Sequence, residues 1–323
     1  MNHRKFLIYL AIISLSVIFF VMISLEVFTR KILIPNDIIN QKEQMLLKKK
    51  SDIKIVSLGD SHTMYDMNIN SQEYFNLGIS SEPIPLWYFK LKWLIKNAGN
   101  TKTLLLQADY HIFSDCRTAD VGHLTKQYAK YIDEKVGGDL GFYPPPGYSD
   151  KFVFYSLQVN YSKILHKSFW NYIVGNFKKP EILDNGSFVK EQGNFSLLTK
   201  QEKMEKAKIR FENHFSCKSA INQGLVDYYE KIIKLAEDNG IKIFLVRYPL
   251  SEEYIALAGN IETEFSDLLN YFSDKYSAPI LDYRNEFRGI DNAFESPDHL
   301  SGKFAEKFGN IVSSDLIEEM NDK

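Results

Sequence analysis

Hydrophobic positions along the chain follow two patterns. The first is a single unbroken run, Phe6 to Leu25, "FLIYLAIISLSVIFFVMISL", about 20 residues without a charge. As a helix it is long enough to cross a hydrocarbon core of roughly 30 Å. A cleavable signal peptide would carry a shorter apolar run and a small-residue cleavage site. Here "EVFTRKILIP" follows instead, and an uncleaved signal-anchor over residues 1–31 is the reading. Residues 32–51, ending in "LLKKKSD", read as a polar juxtamembrane connector.

From residue 52 to 323 the pattern changes to short apolar runs alternating with longer amphipathic stretches. "IKIVSLGD" (Ile53–Asp60) predicts a buried strand, and "YFNLGISS" (Tyr74–Ser81) a second strand with its loop. "PLWYFKLKWLIKNAG" (Pro85–Gly99) has helical spacing, and "TLLLQADYH" (Thr103–His111) is strand-like. "LVDYYEKIIKLAEDNG" (Leu225–Gly240) predicts a helix with a glycine stop, leading into the strand "IKIFLVRYP". "APILDY" (Ala278–Tyr283) makes a fifth strand, and Gly302–Met320 a last helix. Strands separated by helices imply an α/β fold: a doubly wound, five-stranded parallel sheet covered on both faces, three layers in all. Ligands of such sheets bind beyond the carboxyl ends of the strands. Ser61, His111 and His299 follow the first, third and fifth strands, so the topology alone points them towards one end of the sheet.

The alternation breaks between about 112 and 220, where "GGDLGFYPPPGYSDKFVFY" and "NGSFVKEQGNFS" are rich in Gly, Pro, aromatics and turn residues. The aromatic content predicts a packed insertion rather than a disordered excursion.

Composition adds limits. With 39 basic and 41 acidic side chains and a net charge of −2, no basic field supports nucleic-acid binding. The positive-inside rule is indecisive: Arg4 and Lys5 precede the apolar run, whereas Arg30, Lys31 and Lys48–Lys50 follow it. Cys116 and Cys217 can form one bridge in an oxidising compartment or stay as buried thiols. No CxxC pair or His/Cys cluster has metal-ligand spacing in sequence, so no metal and no cofactor is expected.

The candidate chemistry lies in "IVSLGDSHTMYDMN" (Ile55–Asn68). A serine directly after a strand, at the start of a helix, faces free backbone N–H groups and the positive end of the helix dipole. That suits a nucleophile whose reaction passes through an oxyanion. Asp60 or Ser61 acting only as a helix cap is the competing reading.

"LGDSHT", followed by "NLGISS" and by a C-terminal "PDHLSGKFAEKFG", resembles the SGNH (GDSL-type) hydrolase superfamily from about Ser51 to the C-terminus, apart from the insertion. That family's fold is flavodoxin-like. Among its members the chain looks most like membrane-anchored bacterial ones such as the D-alanyl transfer protein of teichoic-acid synthesis and alginate O-acetyltransferase-type proteins. The resemblance implies Ser61 as nucleophile and His299 as its general base. It places Ser81 where a family glycine amide helps form the oxyanion hole, and His111 near the position of a family asparagine donor; a surface histidine is the alternative there. The family carries Asp three residues before the histidine, where this chain has Ser296. Asp298 is the preferred partner of His299, with Glu295 as the alternative acid and a Ser–His dyad also open. His62 reads as a residue of the first helical turn or the pocket rim, and Arg247 as a structural ion pair, with a hold on an anionic substrate group as the alternative.

The resemblance thus implies a serine ester hydrolase or O-acyltransferase acting on a cell-envelope glycan or lipid-linked polymer. It would be held in the cytoplasmic membrane by its N-terminal helix, with the domain outside. A transferase would need a multi-pass membrane protein as acyl donor. The other class of function is an inactive binding or assembly module for surface polysaccharide that keeps the fold.

Overall fold

The computed structural model describes residues 3–33, 35–117, 168–188, 193–290 and 292–321. The predicted insertion therefore lies partly outside the described residues, including all of "GGDLGFYPPPGYSDKFVFY". The described residues fall into two compact units, one of 3–41 and 168–180, the other of 42–117 and 181–321.

In the first unit, α1 (His3–Phe28) begins a helical stretch, His3–Leu33, with a window of mean hydropathy 2.9, none of it buried by protein, so the stretch is long and apolar enough to cross a membrane. Phe28, at its end, packs against Phe169, Tyr172 and Phe177, with ring centroids 5.2, 5.3 and 6.4 Å away.

The second unit holds a five-stranded parallel sheet of order β2-β1-β3-β4-β5: β1 Ile55–Leu58, β2 Tyr74–Asn76, β3 Thr103–Gln107, β4 Lys242–Arg247 and β5 Ile280–Asp282. All four pairings are parallel, for example Val56 opposite Leu104 and Leu105 opposite Phe244. This is the predicted α/β class and the 2-1-3-4-5 order of doubly wound sheets. Side chains alternate between two buried cores, as the period of two in a strand demands. Val56, Leu58, Leu104, Leu106 and Leu245 face one core with Trp87 and Tyr229. Leu105, Phe244 and Val246 face the other with Phe304, Phe308 and Val312. Among the described residues the helices that accompany this sheet are α2 (Ile38–Lys49), α3 (Ser61–Asp66), α4 (Ile84–Asn97), α5 (Lys200–Phe215), α6 (Gln223–Glu237), α7 (Glu252–Tyr276) and α8 (Gly302–Asn321).

Several elements differ from expectation. Much of the polar connector is helix α2, because Leu46 enters the core and buried Lys42 reaches the Gly78 carbonyl at 2.6 Å. Within the stretch where alternation fails, α5 forms behind a capping box of Thr199 and Glu202. Between β5 and α8 stands a short antiparallel hairpin, β6 (Phe294–Ser296) and β7 (His299–Leu300), whose turn carries Pro297 and Asp298. Cys116 and Cys217 are joined in a disulfide, with Cα atoms 5.3 Å apart.

Candidate active site

The turn from β1 into α3 places Ser61 at the carboxyl end of the sheet. Gly59 has no room for a side chain, since a Cβ there would meet Thr63 Oγ1 at 1.9 Å and Gln107 Oε1 at 2.4 Å. The same Gln107 Oε1 accepts the Asp60 amide at 2.7 Å, tying the turn to β3. Asp60 is the N-cap and its carboxylate accepts the His62 amide at 3.1 Å. So the cap and the candidate nucleophile are neighbours, and the two readings of the motif divide between Asp60 and Ser61. Ser61 is 7% exposed, and among the described residues its Oγ makes no hydrogen bond. Gly78, after β2, allows its loop to lie against α3, where a Cβ would come 2.6 Å from the Met64 amide.

His299 reaches the same end of the sheet from the hairpin, and α3 itself holds it. Its Nδ1 lies 3.1 Å from Asp66 Oδ2, while the next amide, Leu300 N–H, donates to Asp66 Oδ1 at 3.1 Å. One short helix therefore begins with Ser61 and ends with the carboxylate that orients His299. The expectation that Asp298, or else Glu295, partners His299 is corrected by this geometry. The hairpin turn aims Asp298 elsewhere: Oδ2 accepts Arg210 Nε at 2.7 Å and faces His62 Nε2 at 3.4 Å, and Oδ1 accepts Ser296 Oγ at 3.2 Å. Glu295 is buried in β6, where its carbonyl abuts Gly193.

His62, read from sequence as a helical-turn or rim residue, is fully buried at the centre of a polar network. Nδ1 faces Asp109 Oδ2 at 2.8 Å and Nε2 faces Asp298. Asp109 is fixed in turn by Gln107 Nε2 at 2.9 Å and the Tyr248 amide at 2.9 Å. Four imidazoles lie in series: ring centroids are 4.8 Å apart for His299 and His62, 4.6 Å for His62 and His111, and 4.6 Å for His111 and His214. Burial alone would drive His62 towards neutrality, yet the charge and hydrogen bond of Asp109, then Asp298 and Asp60, raise its pKa well above the usual histidine value. Burial likewise pushes Asp60 and Asp298 upward and is outweighed, so both stay well below the usual carboxylate range. His111 and Arg117 do this for Asp60; His299, His62 and Arg210 do it for Asp298. Burial wins at His111 and His214, whose pKa values fall.

The remaining predicted residues are less favourably placed. His111 is 2% exposed and its Nε2 faces Asp60 Oδ2 at 2.9 Å, so its role as an oxyanion donor is corrected to a partner of the cap carboxylate. Ser81 stands in an exposed turn at φ 61, a left-handed conformation that glycine adopts without strain. Arg247 is structural, as read: it pairs with Glu262 at 2.9 Å and Asp282 at 3.3 Å and stacks over Phe265.

Two sets of groups come within ligand reach of a metal in three dimensions: Asp60, His62 and His111, and His62, Asp298 and His299. Sequence spacing gave no hint of either, because each is assembled from separate strand ends. Arg117 already lies 2.6 Å from Asp60 and Arg210 2.7 Å from Asp298, so guanidinium charge occupies both carboxylates. The arrangement fits a charge-balanced hydrogen-bond network better than an ion.

Comparison with known proteins gives little beyond this. No family model and no curated protein matches the chain. Among solved structures, one from Bacteroides fragilis NCTC 9343, provisionally described as an acylhydrolase, aligns at 9% identity with a TM-score of 0.40, over 85% of this chain and 96% of that one. A likeness at that level says nothing about activity.

Proposed function

We propose that this protein is a serine acyl-transfer enzyme, an ester hydrolase or O-acyltransferase, with Ser61 as nucleophile, His299 as general base and Asp66 as the carboxylate that orients it. The observation that carries the reading is the tether of His299 to α3, the helix that Ser61 begins. With Nδ1–H donated to Asp66, the Nε2 lone pair is left to take the Ser61 proton. Ser61 Oγ attacks the ester carbonyl, and the oxyanion is met by backbone amides at the start of α3 and in the Ser81 turn. Collapse expels the alcohol, protonated by His299, and leaves an acyl-enzyme. Water or a sugar hydroxyl, deprotonated by the same imidazole, then takes the acyl group. General-base help contributes about 10²–10⁴ in rate and each oxyanion donor about 10²–10³.

A position outside the cytoplasmic membrane is supported by the Cys116–Cys217 disulfide, a bond of oxidising compartments, together with the apolar α1. Envelope glycans and lipid-linked polymers are the substrates such a place offers, and a transferase there draws its acyl group from a multi-pass membrane partner. A non-catalytic polysaccharide-binding module is the second reading, favoured by the absence of a hydrogen bond from Ser61 Oγ to His299 among the described residues.

A fluorophosphonate probe separates the two. Full-length wild-type protein is expected to label covalently, Ser61→Ala to give no label, and Asp66→Asn to label about 10²–10⁴ times more slowly with its circular dichroism unchanged. Wild-type protein that stays unlabelled beside a reactive control esterase would establish the binding module instead.

A further inference from the structure

We propose that residues 168–177, a short interfacial helix and the turn that closes it, are a second membrane contact lying on the bilayer beside the exit of α1; the proposal rests on reading α1 as a membrane span. Residues 168–173 are helical, and the turn closes with Val174 N–H donating to Trp170 O at 3.0 Å and Gly175 at φ 76. Trp170, Ile173 and Val174 occupy positions i, i+3 and i+4, which form one helix face. That face is open: the three side chains are 61%, 54% and 59% exposed. The other side of the turn, Phe169 with Tyr172, packs on Phe28.

Phe28 fixes the depth. It stands three residues beyond the end of the apolar run at Leu25, about 4–5 Å further along the helix axis. A run of that length fills the hydrocarbon core, so Phe28 and the rings on it lie at the headgroup boundary. Tryptophan and tyrosine are enriched at that boundary, where an apolar ring and a polar N–H or O–H both find partners. Exposed Lys178 and Lys179 follow directly, suited to phosphate headgroups. An apolar face at this depth is covered by lipid without any protein partner.

Full-length protein and its Trp170→Phe variant, reconstituted in phosphatidylcholine–phosphatidylglycerol vesicles, provide the test. With bromine placed at shallow acyl positions, wild-type tryptophan emission should be quenched about twofold more than that of Trp170→Phe, and deep bromine should quench less. Trp87 is fully buried and Trp93 half-buried in the second unit, so the difference isolates Trp170. Equal quenching of the two proteins overturns the proposal. Continued quenching of Trp170 by aqueous acrylamide would then show a solvent-facing turn, and protection from both quenchers a face covered by protein. Resistance of both proteins to alkaline carbonate extraction reports the span separately, so loss of lipid quenching in protein that still resists extraction counts against the interfacial helix alone. Extraction of both proteins removes the span and this proposal together.

Discussion

His62 faces two buried carboxylates at once, and the upward shift of its pKa favours the charged form that suits them. Asp109 and Asp298 are both at most 1% exposed, so a neutral side chain at position 62 would leave negative charge undersatisfied in the interior. Removing one partner of a buried ion pair costs about 3–5 kcal/mol. The pH dependence follows from the direction of the shift. His62 titrates higher in the folded protein than its unfolded value of about 6.5, so its contribution is complete below that pH and disappears as pH rises through the folded value. Asp60 and Asp298 titrate lower when folded. Their contribution is complete above about pH 4 and is lost as pH falls through the depressed values. Thermal unfolding of wild type and His62→Gln should therefore differ most near pH 6, and the gap should close on the alkaline side. A gap that stays constant from about pH 6 to pH 10 would show that His62 is held neutral. Little of this was legible in the sequence. Ser61 and His299 stand out because each sits in a recognisable string at a strand end, but the residues that orient them do not. Asp66 lies 233 positions from His299, whereas the sequence offered only the carboxylates close to it, Glu295 and Asp298, and the hairpin turns Asp298 towards Arg210 and His62.

The elements that could be read were those whose apolar period met no competing demand. β1, β3 and β4 are buried runs, and α6 ends at Glu237, one short turn before the predicted glycine stop, Gly240 at φ 67. Helix α7 was missed because Gly259, at φ 48, interrupts it, and α5 because it is mostly polar with only Ala207 and His214 buried. That polar helix supplies two members of the site, Arg210 on Asp298 and His214 stacked on His111. The disulfide links the end of α5 to the turn that carries Arg117, the guanidinium on Asp60. Both cationic clamps thus hang on one covalent bond. Its ends are 101 residues apart in sequence, and a cross-link closing a loop of that size stabilises by about 4–5 kcal/mol in the chain-entropy account. The double variant Cys116→Ser/Cys217→Ser should unfold at a clearly lower temperature and label more slowly with fluorophosphonate even where it is fully folded. A variant with lowered stability but an unchanged labelling rate at low temperature would restrict the bond to a structural role.

At the scale of the whole chain, two physical signals disagree about sidedness. Lysines and arginines just after the apolar run outnumber those before it, which by charge counting keeps the C-terminal part inside. The disulfide says the opposite, since cytosolic thiol buffers keep such pairs reduced. The rule of positive charge is weakest for long domains, which translocate largely regardless of it, whereas a disulfide depends directly on the compartment. The proposed orientation therefore rests on the bond rather than on the count, and it can be tested. In a bacterial host with intact oxidising machinery, the full chain should stay in the membrane fraction after alkaline carbonate. Cys116 and Cys217 should then resist a maleimide reagent until a reductant is added. Two freely alkylated thiols in membrane-bound protein would turn the chain round, placing Ser61 and His299 on the cytosolic face and removing envelope glycans from the set of substrates they can reach.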